Sequence, residues 1–257
     1  MLSIAEFVCL SGVSRGDRLF KASQKASDFE FNQAVVDVFP DMIGRSVPGY
    51  WEGAEWIGLL SKRFAKSTSK IYDLGCSLGA VSWGIYRHWE KECPQIIAVD
   101  NSQPMLHGFQ SNIEQLLPPH PPFELHCADI RSFPIEDADM VVMHFTLQFI
   151  PKTDRLAVLK QIYDGLKPGG VLILSEKLYG QDSAHEQRLR AWHHDFKRSQ
   201  GYTELEIQQK SDSIANVMPL DTPQEQHARL KAAGFTTITP WLQCFNFGSL
   251  VAEKAHD

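Results

Sequence analysis

No two cysteines in this 257-residue chain are spaced as Cys-x-x-Cys, and the five present (Cys9, Cys76, Cys93, Cys127, Cys244) are scattered and odd in number. That pattern argues against a disulfide framework or a thiolate zinc site, so no metal is expected, and it predicts a reducing, cytoplasmic setting. Positive charge is also scarce: 25 Lys and Arg stand against 31 Asp and Glu, a net charge of −6. Affinity built on neutralising phosphates needs the opposite balance, so direct nucleic-acid binding is not expected. No apolar run reaches the ~20 residues that span a bilayer, which predicts no membrane partner. Internal repeats and low-complexity tracts are missing too. The first fourteen residues, Met1 to Ser14, are apolar but lack the basic start and small-residue cleavage pattern of a signal peptide. They read as an N-terminal extension over 1–15, either mobile or docked as an amphipathic turn. The rest, 16–257, suits one large core.

What the chain does have is a glycine turn, Tyr72-Asp73-Leu74-Gly75-Cys76-Ser77-Leu78-Gly79-Ala80. An apolar run from Lys70 and Ile71 precedes it, and Val81 to Trp89 carries apolar residues at helical spacing. The glycines therefore lie between a strand and a helix. There they permit positive φ or close approach of a ligand to the backbone, beneath the free N–H groups of the helix. The spacing is Asp-x-Gly-x-x-x-Gly, not the Gly-x-Gly-x-x-Gly of dinucleotide sites. Asp73 would repel a diphosphate and favour a cationic ligand such as a sulfonium or an ammonium.

Alternating elements follow. Strands are predicted at Gln95–Asp100, Phe123–Asp129, Asp139–Phe145 and Val171–Glu176, with helices at Pro104–Leu117 and Arg155–Leu166 and a proline-rich loop at Leu117–Pro122. Lys167-Pro168-Gly169-Gly170 reads as a helix stop. Continuous Val/Ile/Leu runs predict parallel strands buried on both faces. A helical segment from 184 to 217 interrupts the series as an inserted cap would, and helices over about 28–66 are placed as a lid. Gly234-Phe235 opens two closing strands, Thr236–Trp241 and Phe247–Glu253, near enough for an antiparallel hairpin. The expected fold class is α/β, a mostly parallel seven-stranded sheet with that hairpin and the helical cap.

Ligands in such sheets bind beyond the carboxyl ends of the strands. The strand-closing residues are Asp73 and Gly75, Asp100-Asn101, Asp129-Ile130, His144, and Ser175-Glu176. Asp100 stands where an acid accepts from both ribose hydroxyls of a nucleoside. The competing reading makes these aspartates caps of the following helices.

The strings VFPDMI (38–43), RSVPGY (45–50), DNSQPM (100–105), FTLQF (145–149), LSEK (174–177), HHDFKR (193–198), GYTELEI (201–207) and QCFNFGS (243–249) go further. From about Gly16 to Lys254 the chain resembles the carboxy-S-adenosyl-L-methionine synthases, within the class I S-adenosylmethionine-dependent methyltransferase fold. The resemblance implies a Rossmann-like sheet, S-adenosylmethionine (SAM) or its carboxylated form as the bound nucleoside, and homodimers. It also implies synthesis of carboxy-SAM from SAM and prephenate with release of phenylpyruvate, in the service of tRNA wobble-uridine modification. In that chemistry the sulfonium methyl loses a proton and the resulting ylide captures carbon dioxide. Tyr50, Asp73, Gly75, Cys76, Ser77, Asp100, Asn101, Asp129 and Ile130 fall on ligand-binding positions. Two positions depart: His144 stands where the family has Asn, and Ser211 where it has the arginine that grips the transferred carboxylate. A serine offers one neutral donor in place of a bidentate guanidinium. His144 and Ser211 are therefore the candidate catalytic positions. Lys210 or Arg198 is a candidate substitute for the arginine. The alternative is a conventional methyltransferase acting on a small-molecule acceptor, with His144 as general base. A nucleoside-binding regulator without activity is the third reading. His193 and His194 are candidates for catalysis or metal ligation but, diverging by about 100° on a helix, read by preference as surface or cap packing. Lys197 and Arg198 are candidates for binding an acidic substrate, with a solvated helix face as the default, and Trp51 and Trp56 read as lining the acceptor pocket or packing on the sheet.

Overall fold

The computed structural model describes residues 1–10, 12, 16–17, 19, 30–89, 92–116 and 121–256. Most of the proline-rich loop (117–120), part of the 1–15 extension and the start of the lid segment at 28–29 lie outside the described residues.

In chain order the elements are α1 (Ile4–Val8), α2 (Gln33–Val36), α3 (Phe39–Gly44), α4 (Tyr50–Phe64), β1 (Lys70–Leu74), α5 (Ala80–Trp89), β2 (Gln95–Asp100), α6 (Gln103–Glu114), β3 (Phe123–Cys127), β4 (Ala138–His144), α7 (Arg155–Gly165), β5 (Leu166–Lys177), α8 (Ser183–Ser199), α9 (Glu204–Ala215), α10 (Pro223–Ala233), β6 (Thr237–Cys244) and β7 (Phe247–Glu253). The sheet order is β3-β2-β1-β4-β5-β7-β6. β1 pairs parallel with β2 and β4, β2 with β3, and β4 with β5. β7 runs antiparallel to β5 and forms the hairpin with β6. The order reverses between β1 and β4, the place where open α/β sheets bind ligands.

Alternation along the strands divides the core in two. Ile71, Met140, Val142 and Ile173 face the layer holding α1 to α6. Tyr72, Leu74, Val141 and Leu172 face α7 and α10. The N-terminal extension is docked over its described part: Phe7 is buried and stacks on Trp83 of α5 with ring centroids 4.4 Å apart.

Several elements differ from the sequence reading. β5 starts at Leu166, so Lys167–Gly170 is extended backbone within the strand, with Gly169 at φ +75° turning it. The 184–217 cap is two helices parted at Gly201, whose φ is +86°. α10 was not anticipated. It is started by a capping box in which Thr222 accepts from the Glu225 N–H and the Glu225 side chain reaches back to the Thr222 N–H. Its buried face is small (Gln226, Leu230, Ala233), which hides the apolar periodicity. Among the described residues no helix is long and apolar enough to cross a membrane.

Candidate functional site

The glycine turn has the shape its composition demands. Gly75, Ser77 and Gly79 all have positive φ (+79°, +51° and +86°), and the Gly75 and Cys76 N–H groups donate to the Val99 carbonyl of β2. A Cβ at Gly75 would lie 2.3 Å from Thr146 Oγ1, and one at Gly79 would lie 2.2 Å from the Phe109 ring. The turn is thus wedged between the loop after β4 and helix α6, with its backbone bare toward the cleft.

Asp100, ending β2, ties this turn to the next helix. Its Oδ2 accepts from the Ser77 N–H at 2.9 Å and its Oδ1 from the Ser102 N–H at 2.8 Å. Burial nevertheless raises its pKa above the usual carboxylate value. Each oxygen keeps a lone pair, so the group remains able to accept from a ribose.

A cavity of about 340 Å³ opens over the strand ends, lined by Tyr50, Gly75, Ser77, Asp100, Asn101, Asp129, Ile130 and His144 among others. Eight of the eleven sequence-selected residues are therefore brought together. Phe31, Phe39, Phe145 and Phe149 add an aromatic wall that no motif had indicated. Asp129 enters with its carboxylate gripped by Arg131, whose Nε reaches both oxygens (3.1 and 2.9 Å) and whose side-chain bonds hold the Asp129 pKa below its ordinary value.

Three selected residues do not line the cavity. The Asp73 Oδ2 accepts from the Ser82 N–H (3.1 Å) and Oγ (2.7 Å) inside α5, so this carboxylate braces the helix, as the capping reading had it. Burial, only partly offset by those bonds, raises its pKa to about 7. Cys76 points into the core, where burial pushes its thiol pKa well up. Ser211 is half-buried and outside the lining; its neighbour Lys210 is inside it.

His144 lines the cavity but has no free nitrogen. Its Nδ1 is 2.9 Å from Ser175 Oγ and its Nε2 is 3.3 Å from the Tyr50 carbonyl. Facing a carbonyl, Nε2 is the nitrogen that donates, and burial lowers the ring's pKa to about 4. It thus bonds the Tyr50 backbone, and its ring centroid lies 4.9 Å from that of Tyr50. Trp51 packs edge-on against Tyr50, and Trp56 is exposed against Trp241; neither lines the cavity.

The far wall corrects the sequence reading of α8. Lys197 is 4% exposed and lines the cavity together with His193, Lys177 and Lys210, whereas His194 is outside the lining. Arg198 is the one on the solvated face, paired with Asp195 and Glu204. His193 is neutral, its Nε2 2.8 Å from the Ser46 carbonyl, with burial and then Lys177 and Lys197 lowering its pKa. Burial lowers Lys177 and Lys210 to about 8 and Lys197 to about 6. The sequence did carry a signal for this wall. On α8 the buried stripe runs Leu189, His193, Lys197, and on α9 it runs Glu206, Ile207, Lys210, Ser213. Polar residues at core spacing mark a face turned toward something polar.

Comparison with known proteins adds to this geometry. A family described as "Methyltransferase domain" matches residues 71–170. A carboxy-S-adenosyl-L-methionine synthase of Shewanella pealeana is 49% identical over 94% of this chain and 99% of its own length. One from Vibrio cholerae is 49% identical over 95% of this chain and 99% of its own. Among solved structures, human N-acetylserotonin methyltransferase in complex with SAM aligns with a TM-score of 0.59 at 14% identity, covering 98% of this chain and 67% of that one. A SAM-dependent methyltransferase of Methanosarcina mazei aligns at 0.56 and 16% identity, covering 77% and 98%. At such identities the structural likeness speaks for the class I methyltransferase fold alone.

Proposed function

The chain belongs to the carboxy-S-adenosyl-L-methionine synthase family, and we propose on that footing that it carboxylates the methyl group of SAM, with prephenate as carboxyl donor and phenylpyruvate and water as co-products, the departing ring hydroxyl and the methyl proton leaving together as that water. The observation that carries this reading is the make-up of one cavity. It joins the nucleoside end, at Asp100 and the bare Gly75 turn, to a wall of three lysines of which Lys197 and Lys210 are buried and Lys177 half-buried. A methyl acceptor needs alignment and gives no reason to collect buried ammonium groups. A donor bearing two carboxylates does.

The residues present suit the nucleoside. Asp100 has acceptor capacity for the ribose, Tyr50 is fixed by His144 over the turn, and no side chain at Gly75 blocks the backbone. When bound, the sulfonium supplies an acidified methyl carbon; the chain's part is to position it and keep water away. Carbon dioxide freed from the donor must meet that carbon before it escapes or is hydrated. Phe31, Phe39, Phe145 and Phe149 on one side and α8 and α9 on the other make a largely apolar, enclosed volume suited to this. The reading includes a cytoplasmic homodimer, in keeping with five free cysteines.

The test is incubation with SAM, with and without prephenate, followed by mass spectrometry. A carboxylated nucleoside and phenylpyruvate are expected only when both are supplied. Unchanged SAM, or methyl transfer to an added acceptor in place of carboxylation, would remove the proposal.

A further inference from the structure

Lys177 comes from the end of β5, Lys197 from α8 and Lys210 from α9, so three separate elements each deliver one amine to the same wall. Their surroundings differ. Lys210 Nζ donates to Ser46 Oγ at 2.6 Å and lies within electrostatic reach of Asp17 and Asp41. Lys177 lies 5.6 Å over the Phe247 ring and feels Glu186. Lys197 has no acceptor for its amine among the described residues, and the charges acting on it are all positive: Lys210 from α9, Lys177 from β5 and Arg190 from α8. The histidines beside it, His193 and His194, are both held toward the neutral form, and the cavity's carboxylates, Asp100 and Asp129, belong to the nucleoside end. Lys177 and Lys210 each feel a carboxylate, whereas Lys197 meets only other cations, so the three ammonium groups cannot all stay charged at neutral pH in the empty site. The amine without a partner gives up its proton first.

We propose that Lys177, Lys197 and Lys210 form one subsite for a dicarboxylate dianion, and that filling it draws a proton from solution onto Lys197. The inference rests on the carboxyl-donor reading above and assigns that donor its place. It also gives the chain a carboxylate grip that does not depend on Ser211. Two fixed cations, Lys177 and Lys210, orient the two carboxylates. The incoming negative charge then restores the ammonium form of Lys197, which becomes the third contact. The bound state holds more protons than the empty one, so affinity strengthens as pH falls toward about 6, the empty-site value of Lys197, and levels off below it; above about 8 Lys177 and Lys210 lose their own charge and binding weakens further. This sign follows from linkage and is opposite to what a wall of permanently charged arginines gives, which is a flat profile.

Isothermal titration of prephenate into the enzyme saturated with S-adenosylhomocysteine, which blocks turnover, reads the effect directly. At pH 7.0, where Lys177 and Lys210 are already largely protonated and Lys197 is not, the observed heat in buffers of different ionisation enthalpy should scale with that enthalpy and report uptake of roughly one half to one proton per site. Lys197→Met should bind at least tenfold more weakly and without buffer dependence. Lys210→Met should lose at least tenfold in affinity while keeping its affinity for S-adenosylhomocysteine, which shows that it is folded. Ser211→Ala should match the parent. Buffer-independent heat in the parent protein, or Lys197→Met retaining the proton uptake, overturns the inference. Carboxylated product formed by a protein that shows no proton uptake sinks this inference and spares the donor reading. Proton-linked binding of phenylmalonate, a dicarboxylate without the donor chemistry, in a protein that makes no carboxylated product does the reverse.

Discussion

Lysine is rarely found 4% exposed, and Lys197 is so placed with no carboxylate beside it. Unfolded, its amine titrates near the ordinary 10.5; folded, burial brings it to about 6. Between those values the unfolded chain holds a proton that the folded chain does not, so the empty protein loses stability as pH falls from 10.5 to 6 and no more below that. Replacing Lys197 by Met should therefore raise the stability of the ligand-free protein at pH 7 by about 1–2 kcal/mol and flatten its melting temperature against pH, at the expense of turnover. Melting curves from pH 6 to 9 decide it; an unchanged slope would mean that Lys197 finds a counter-charge in solution. The residue scale is also where the sequence was least legible. Asp100, Asn101, Asp129 and Ile130 were readable because strand ends point at the cleft. Asp73 satisfied the same rule and went instead to Ser82. A strand-end carboxylate has two possible clients, ligand and helix, and their geometry differs by one side-chain rotation. Lys197 and Arg198 differ by one step around α8, about 100°, which separates the wall of the site from solvent.

At the scale of elements, legibility followed the strength of the period. Apart from the start of β5, the strands and the helices that cover them were found within about three residues at each end, because their buried sides are apolar. α10 escaped because three buried residues leave too faint a stripe, and β5 absorbed its glycines because Gly169 and Gly170 cost nothing at its turned entry. One close packing was invisible in sequence and is testable. A Cβ at Gly84 of α5 would meet the Ala54 carbonyl of α4 at 2.5 Å, and one at Gly58 would meet the Gly84 carbonyl at 2.2 Å. Backbone cannot step aside as a side chain can. Gly84→Ala should thus destabilise by roughly 1–3 kcal/mol despite alanine's better helix propensity. At Gly108 of α6 the obstacle is a Leu78 methyl at 2.6 Å, which can rotate, so Gly108→Ala should cost less. Denaturant melts of both variants give the ranking, and a reversed order would show that α4 and α5 can slide apart.

Over the whole molecule, parts that lie far apart in the chain are tied together beside the cavity: Asp17, residues Asp41 to Tyr50, and helices α8 and α9. They meet at Tyr202. Its hydroxyl donates to Asp17 Oδ2 at 2.6 Å, its ring lies under the Arg45 guanidinium at 4.0 Å, and Arg45 in turn donates to the Gln200 carbonyl and to Asp41 Oδ2. Asp17 donates its own N–H to that same Asp41 oxygen, and Ser46, near the Tyr202 hydroxyl at 3.5 Å, holds Lys210. Closure of the cap and placement of a wall lysine are thus parts of one hydrogen-bonded network. Tyr202→Phe removes a single hydroxyl and leaves the Asp17 carboxylate, 3% exposed, short of a donor at a cost of about 1–3 kcal/mol. That strain falls on the cap and on Lys210, whereas the Gly75 turn and Asp100 are held by β2 and by Ser102, outside the network. The expected result is a split: KM for the carboxyl donor rises about tenfold or more, and affinity for the nucleoside stays within about twofold, since 1.4 kcal/mol of lost grip is one decade. Steady-state kinetics in the donor, paired with direct titration of S-adenosylhomocysteine, separates the two. Equal losses at both ends would mean that the cap also holds the nucleoside. An unchanged KM would mean that these parts hold together beside the cavity without help from Tyr202, and that Lys210 is set by Ser46 alone.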